Sequence, residues 1–490
     1  MAVISRAIPT LLRGISQSSD ALKQPDHADI QDNADSNPVL GLTKRSGFQY
    51  VTALSSSTLG NVHIQTINRD ANERYVAIFS NGNVKVYELD GTEKTVNKPD
   101  GTAYLNTSTP RSVIKTVTIA DFTFVVNTSI TTAMDSTLSG GTGTKAIIFI
   151  NQATANTTYS VTIDGVTVTD NTSGDSTLST DTVAADLKTG LDSGLTGFTI
   201  VRNGPVLYVR KNDNSNFSID GSDTQGDTKM TIIKDSVQRF TDLPTVSPHG
   251  YVVEVKGDED TNFDNYYVKF VGNNTTTDGV VEEGQWEETV EAGIQFKFDY
   301  ATMPHVLVRQ ADGNFRFAKV DGDSYTLSGV TYTLPKWGER TVGDIVSAPN
   351  PSFIGNKINN VFFFRNRLGF LAGDNVVLSR VSEFFNFFPE TVISVLDSEP
   401  IDVAASHTKV AILKSAVTMG ERLILFSEQT QFVLTSSADN LTPKTANVIV
   451  ATEFESSAAA QPVGSGSSIY FLTEKGSFAG IREYLSLIHI

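Results

Sequence analysis

Cysteine is absent from the 490 residues, which excludes disulfides and thiolate metal sites. The six histidines (His27, His63, His249, His305, His407, His489) are scattered, and none has the HxxxH or HExxH spacing that would aim two imidazoles at one zinc ion. Long apolar runs are missing as well. Nothing approaches the about 20 residues needed to cross a bilayer, and residues 1–10 lack the apolar stretch and small-residue cleavage site of a signal peptide. Positive charge is in deficit: 38 Lys and Arg stand against 55 Asp and Glu, a formal net charge of −17. A surface that wraps nucleic acid needs the opposite surplus to neutralise phosphates, so only a local basic patch stays open.

Catalytic grammar is equally sparse. No GxSxG elbow, GxxxxGK[ST] loop or GxGxxG helix start occurs, so acyl transfer, P-loop and dinucleotide chemistry have no motif to stand on. Two carboxylates brought together by folding would leave no local signature. Residues 251–300 carry 12 acidic and three basic side chains, including Glu282-Glu283 and Glu287-Glu288 around Trp286. Neighbouring residues on a strand point to opposite faces, which suits a glycosidase pair or a calcium site badly. Solvated surface charge is the expectation for these pairs. No catalytic, metal or cofactor residue is assigned.

What is present is an ordinary 39% of hydrophobic residues, cut into short runs of Val, Ile, Phe and Tyr by Thr, Ser, Asn, Asp and Gly. That texture predicts a mainly β protein with many tight turns. RYVAIFSNGNVKVYELDG (residues 74–91) alternates apolar and polar on both sides of Asn81-Gly82-Asn83 and predicts a hairpin. YSVTIDGVTVT (159–169) predicts another, in which an Asp164-Gly165 turn pairs Ile163 with Val166 and Val161 with Val168 on a buried face. Between them and a third hairpin around Asn203-Gly204, DTVAADLKTGL predicts a helix with Asp181 as a possible N-cap and Val183, Leu187 and Leu191 on one stripe.

Five segments follow from these patterns. Residues 1–50, sparse in apolar side chains and punctuated by Pro25 and Pro38, cannot build a core and form an extended arm, either flexible or ordered against a neighbouring chain. Residues 51–135 form a first β segment, 136–235 an inserted ββαββ domain, 236–345 an acidic β segment, and 346–490 a run of strand-turn-strand units. Those units recur loosely, as β-propeller blades do, with a sandwich as the structural competitor.

The stretch FFFRNRLGFLAGDNVVLSRVSEFFNFFP (362–389) holds eight phenylalanines and three arginines. Such a mixture can stack bases. The negative balance favours core and subunit packing instead, with alternate phenylalanines inside a blade, Arg365 and Arg367 at its polar turn, and SEFFNFFP as a short helical turn ended by Pro389.

Several long motifs in a fixed order carry a resemblance. They are RGISQSSDALKQPDHADIQDN (13–33), GLTKR (41–45), residues 336–389 from KWGERTVGDIVSAPNPSFIGN onward, DSEPIDVAAS (397–406) and QTQFVLTSSADNLTPKTANV (429–448). Together they resemble the tail tubular protein B, or tail nozzle, family of T-seven-type podoviruses. Gly14, Ser16, Gln17, Asp20, Pro25 and Asp26 match the family's arm, and Gly41, Leu42, Lys44 and Arg45 the segment that closes it. The chain departs from the pattern at Ser18-Ser19, His27 and Ser46-Gly47.

The resemblance implies a structural, non-enzymatic virion protein. It implies a hexameric ring of identical subunits below a tail adaptor (tail tubular protein A), with tail fibres docked on its upper side and the genome leaving through the lumen without sequence-specific binding. No cofactor or membrane insertion is implied. The arm then reads as ordered against a neighbour, and Gly14, Ser16, Gln17, Asp20, Pro25, Asp26, Lys44, Arg45, Arg365, Arg367 and Arg380 become candidate contacts to a subunit or the adaptor. The alternative is a tail-associated glycan-binding or glycan-hydrolysing β-propeller. A cellular adhesion protein is disfavoured by the missing secretion signal. Family members are often longer, so the chain reads as truncated. Residues 485–490 are expected to be foreign to the native protein, and the isolated fragment is expected to associate through bare sheet edges.

Overall fold

The computed structural model describes residues 11–140, 143–257, 265–408, 411–437, 440–476 and 478–485. Of the residues expected to be foreign, 486–490 lie outside the described ones. The chain divides into a smaller unit, residues 1–58 with 90–92, and a larger one comprising 59–89 and 93–490. Among the described residues strands dominate, and the one long helix is Thr180–Gly194.

In the smaller unit no described residue is buried, yet the backbone is ordered by local hydrogen bonds. Gly14 (φ +68°) turns the chain so that Ile15 bridges Ala28, with the Ala28 N–H donating to the Gly14 carbonyl at 2.8 Å. Ala34–Asn37 and Gly41–Lys44 then form a hairpin in which Ala34 faces Lys44 and Asn37 faces Gly41.

The larger unit begins with an antiparallel sheet of His63–Asn68, Arg74–Ser80, Asn83–Glu88 and Glu93–Lys94, its central turn falling on Asn81-Gly82 as the sequence predicts. The next sheet is assembled from distant pieces: Phe122–Asn127 pairs with His305–Arg309, so residues 128–304 are inserted between two hydrogen-bonded neighbours. Within the insertion, Thr158–Ile163 and Val166–Asn171 pair in the expected register, Ile163 with Val166 and Val161 with Val168. Tyr159, Val161 and Ile163 are buried from that hairpin, whereas Val166 is exposed. The helix buries Val183, Ala184, Leu187 and Leu191 against these strands and against Lys145–Ile150 and Val206–Lys211. Its N-cap is Ser179, in a capping box with Thr182, and Asp181 lies in the first turn. The serine wins because its hydroxyl accepts the Thr182 N–H while its own N–H is met by Thr182, satisfying two orphan donors. A five-stranded sheet containing Val252–Val255, Tyr266–Gly272 and Val281–Thr289 completes the insertion and shares a core with it through Ile147, Tyr208, Tyr251 and Phe270.

The C-terminal region is a series of antiparallel meanders. Ile358–Phe364, Arg367–Ala372, Asn375–Leu378 and Ile401–Ala404 form the first, and Ser415–Met419, Arg422–Phe426, Gln431–Ser436 and Ala446–Thr452 the second. Val463–Ser465, Ser468–Lys475 and Phe478–Leu485 follow as a three-stranded sheet.

The first meander is covered on both faces, which is why its strands read as near-continuous apolar runs. Phe362, Phe364, Leu371 and Leu378 pack toward Leu423, Leu425 and Phe432 of the second meander. Val361, Leu368, Phe370 and Val377 pack toward Trp337 and Phe353. Most of the eight phenylalanines are therefore interior. The segment SEFFNFFP contains no helical turn. Arg380 and Glu383 bridge, Ser382 takes φ +63°, and two tight turns fan Phe385 and Phe387 around Trp337 at centroid distances of 5.4 and 6.1 Å. Packing four closely spaced rings against one aromatic cluster, with Phe387 and Phe388 buried and Phe384 and Phe385 half-buried, outweighs the single turn of helix they replace.

Candidate interaction site

Two loops beside the first meander, residues 343–351 and 389–400, enclose an open cleft of about 230 Å³. Their sequences, GDIVSAPNP and PETVISVLDSEP, combine rigid prolines with short apolar doublets. Pro349, Pro351, Pro389 and Pro400 line the cleft together with Phe387 and Val395, while Ile345, Val346, Ile393 and Leu396 stand exposed along the same loops. Gly343 makes the close approach between the loops possible. It adopts φ +68°, and a Cβ there would come within 2.7 Å of Val392 and 2.6 Å of Ser347.

Both walls are held by buried arginines. Arg340, 2% exposed, donates to the Ala348 carbonyl (2.8 Å), the Asn350 side chain (2.6 Å) and the Gln295 carbonyl, and lies 5.1 Å from the Phe388 ring centroid. Arg367, 1% exposed, donates to the carbonyls of Ser379 (2.7 Å), Glu399 (2.6 Å) and Asp397 (3.0 Å). A planar fork of five donors is the side chain suited to several diverging carbonyls at once. Burial pulls Arg367 down to about 10, with the Glu399 charge opposing, so it stays cationic at neutral pH. Burial also lowers Arg340, opposed by Asp344 and Glu291.

Carboxylates complete the frame. Glu288 accepts the Thr391 hydroxyl and the Val392 N–H, each at 2.7 Å. Glu399 accepts the Glu390 N–H at 2.9 and 3.0 Å, and its raised pKa comes first from burial, countered by that N–H and by Arg380. Each of these groups is engaged in bracing a wall, and the cleft surface left over is mostly apolar. Among the described residues no group of three or more His, Asp and Glu is arranged to hold a metal.

The glutamate pairs alternate across the Val281–Thr289 strand as the two-residue period requires. Glu283 and Glu287 are exposed. Glu282 and Glu288 are half-buried acceptors of backbone N–H groups, Glu282 for Asn274 (3.0 Å) and Thr275 (2.9 Å), which corrects the expectation of solvated charge for those two.

The residues singled out from sequence are distributed over both units. In the arm, Gly14 and Ser16 form the Ala28 bridge, Asp26 pairs with Arg13 at 2.9 Å, and Arg45 reaches Asn33 (3.2 Å) and the Phe48 ring (4.6 Å). Gln17, Asp20, Pro25 and Lys44 are exposed. Arg365 occupies a left-handed position (φ +45°) in the turn after Ile358–Phe364 and faces Glu421 at 3.7 Å. Arg380 pairs with Glu383 (3.0 Å) and Glu390. Arg367 was expected at the polar turn and lies instead in the interior, because its guanidinium can be satisfied there by carbonyls of the 379–399 excursion. Arg340 and Glu399 went unnoticed in the sequence, and Glu288 was singled out only as a member of an acidic pair expected to be solvated. The signal that marks their site is the proline spacing with apolar doublets between acids.

The family model for bacteriophage nozzle proteins matches residues 1–487. Tail tubular protein gp12 of Escherichia phage T7 is 34% identical over 510 residues, an alignment that covers 99% of this chain and 60% of the T7 protein. The chain thus spans about 60% of the length of that curated relative.

Proposed function

Because the chain belongs to the bacteriophage nozzle protein family, we propose that it is a structural, non-enzymatic subunit of a phage tail nozzle, a hexameric ring below the tail adaptor that docks tail fibres and conducts the genome during ejection. The observation that carries the ring is the arm. Residues 11–58 have ordered backbone contacts and no buried side chain, while Leu22, Ile30, Val39, Leu40, Phe48 and Tyr50 are all exposed. A segment that keeps so much apolar surface in water is stabilised by covering it, and head-to-tail contacts between identical subunits supply the cover.

The successive meanders, joined through interior layers on each side, support a blade-like, propeller-type arrangement of the C-terminal region. The net charge of −17 supports a lumen that repels phosphates and lets DNA slide.

The test is electron microscopy of the full-length protein mixed with its adaptor. Rings seated on the adaptor are expected, and their absence sinks the reading. A continuous band of Lys and Arg around the lumen of such rings would overturn the sliding-lumen part alone.

A further inference from the structure

The hairpin Ala34–Asn37/Gly41–Lys44 ends in Pro38-Val39-Leu40, and its tip is stiff. The Asn37 side-chain oxygen accepts the N–H groups of Val39 (2.8 Å) and Leu40 (3.1 Å), and the Ser36 hydroxyl donates to the Leu11 carbonyl at 2.9 Å. Val39 is 89% and Leu40 72% exposed, so a rigid loop holds two aliphatic side chains out into water. The cleft between the 343–351 and 389–400 loops has the complementary properties. Its volume of about 230 Å³ is below that of pockets for drug-sized ligands and suits a pair of aliphatic side chains. Prolines and the bracing by Arg340, Arg367 and Glu288 hold its two walls apart. Charge also matches: exposed Asp397 and Asp402 flank the cleft, and exposed Lys44 and half-buried Arg45 follow the tip on the hairpin.

We propose that the Pro38-Val39-Leu40 tip of one copy seats in the proline-lined cleft of a second copy, with Lys44 toward Asp397 and Asp402. This rests on the ring reading and deepens it by naming the two surfaces that meet. Because a tip and a cleft are different surfaces, the contact is heterologous and propagates around a ring. Pre-ordering of both sides reduces the entropy lost on docking.

The chain has no native cysteine, so an introduced pair reports without background. In the full chain, Val39→Cys is combined with Ser394→Cys or, separately, with Val395→Cys, and adaptor-bound rings are oxidised. The expected result is a non-reducing ladder of dimers and higher multimers that collapses on reduction. In parallel, Val39→Asp with Leu40→Asp is expected to weaken ring assembly at least tenfold while the melting temperature stays unchanged. Rings that form without the ladder, a cross-link confined to the single-chain mass, or a double-Asp variant that assembles normally each overturn the inference and leave the nozzle reading standing. If the unsubstituted chain forms no rings on its adaptor, the nozzle reading fails and this inference fails with it.

Discussion

The carboxylate of Glu288 accepts the backbone N–H of Val392 at 2.7 Å, across 104 positions of sequence. This bond joins the five-stranded sheet of the insertion to a wall of the cleft. Glu288→Ala leaves that N–H unsatisfied in a half-buried place and is expected to destabilise the fold by about 1–3 kcal/mol. Hydrogen exchange should accelerate at Val392 and its neighbours. Unchanged exchange there would show that Glu288 does not brace this wall.

Arg367 offers a sharper contrast. An interface arginine that faces solvent in the isolated chain contributes little to its stability. A buried one that donates to several backbone carbonyls leaves those acceptors unsatisfied on truncation to Ala, at about 1–3 kcal/mol each. Arg367→Lys should recover only part of this, since one ammonium cannot reach carbonyls spread over Ser379, Asp397 and Glu399. Urea unfolding of the three proteins decides between the two roles.

Gly369 faces Phe362 across the first two strands of the C-terminal meander, and a Cβ at 369 would lie 2.3 Å from the Phe362 ring. Gly369→Ala is expected to cost about 1–3 kcal/mol through overpacking. Combined with Phe362→Leu, the two losses should be smaller than their sum, because the shorter side chain vacates the contested space. Additive losses would show that the glycine is needed for another reason.

Acid should weaken the fold before most carboxylates titrate. His305, stacked at 3.9 Å on Tyr104, is pulled down to about 4 by burial, opposed by the Met303 carbonyl, Asp100 and Asp321 and aided by Lys319. His63 is likewise pulled down to about 4, first by burial and then by Lys115. Below pH 6.5 the unfolded chain binds protons that the folded chain refuses. Stability is therefore full above pH 6.5 and falls as pH drops toward 4, by up to about 3 kcal/mol for each histidine. His305→Phe should flatten part of that slope in a series of denaturant melts. An unaltered slope would exclude His305 as its source.

Much of the local architecture was legible because it depends on neighbours in sequence. Gly82 in one turn and both Asp164 and Gly165 in the other supply the left-handed residues that two-residue turns need, and alternation on either side sets the register. Ser179 was passed over as the cap because reciprocal bonding with Thr182 is a property of geometry that Asp181, a good cap by type, obscured. The run of phenylalanines was read as interior. Its burial on two faces was beyond reach, since that depends on Trp337 on one side and Leu423 and Phe432 on the other.

By itself, then, the sequence determined a mainly β chain with defined hairpins, a coreless arm, and membership in the nozzle family through the order of long motifs. Tertiary structure alone decided that Arg367 is a brace and Arg365 a surface residue, that Glu288 reaches Val392, and that two proline-bearing loops form a cleft. The reason is physical: turn and strand preferences act over a few residues, whereas the partner of a buried charge is whatever distant backbone the fold brings within hydrogen-bond reach.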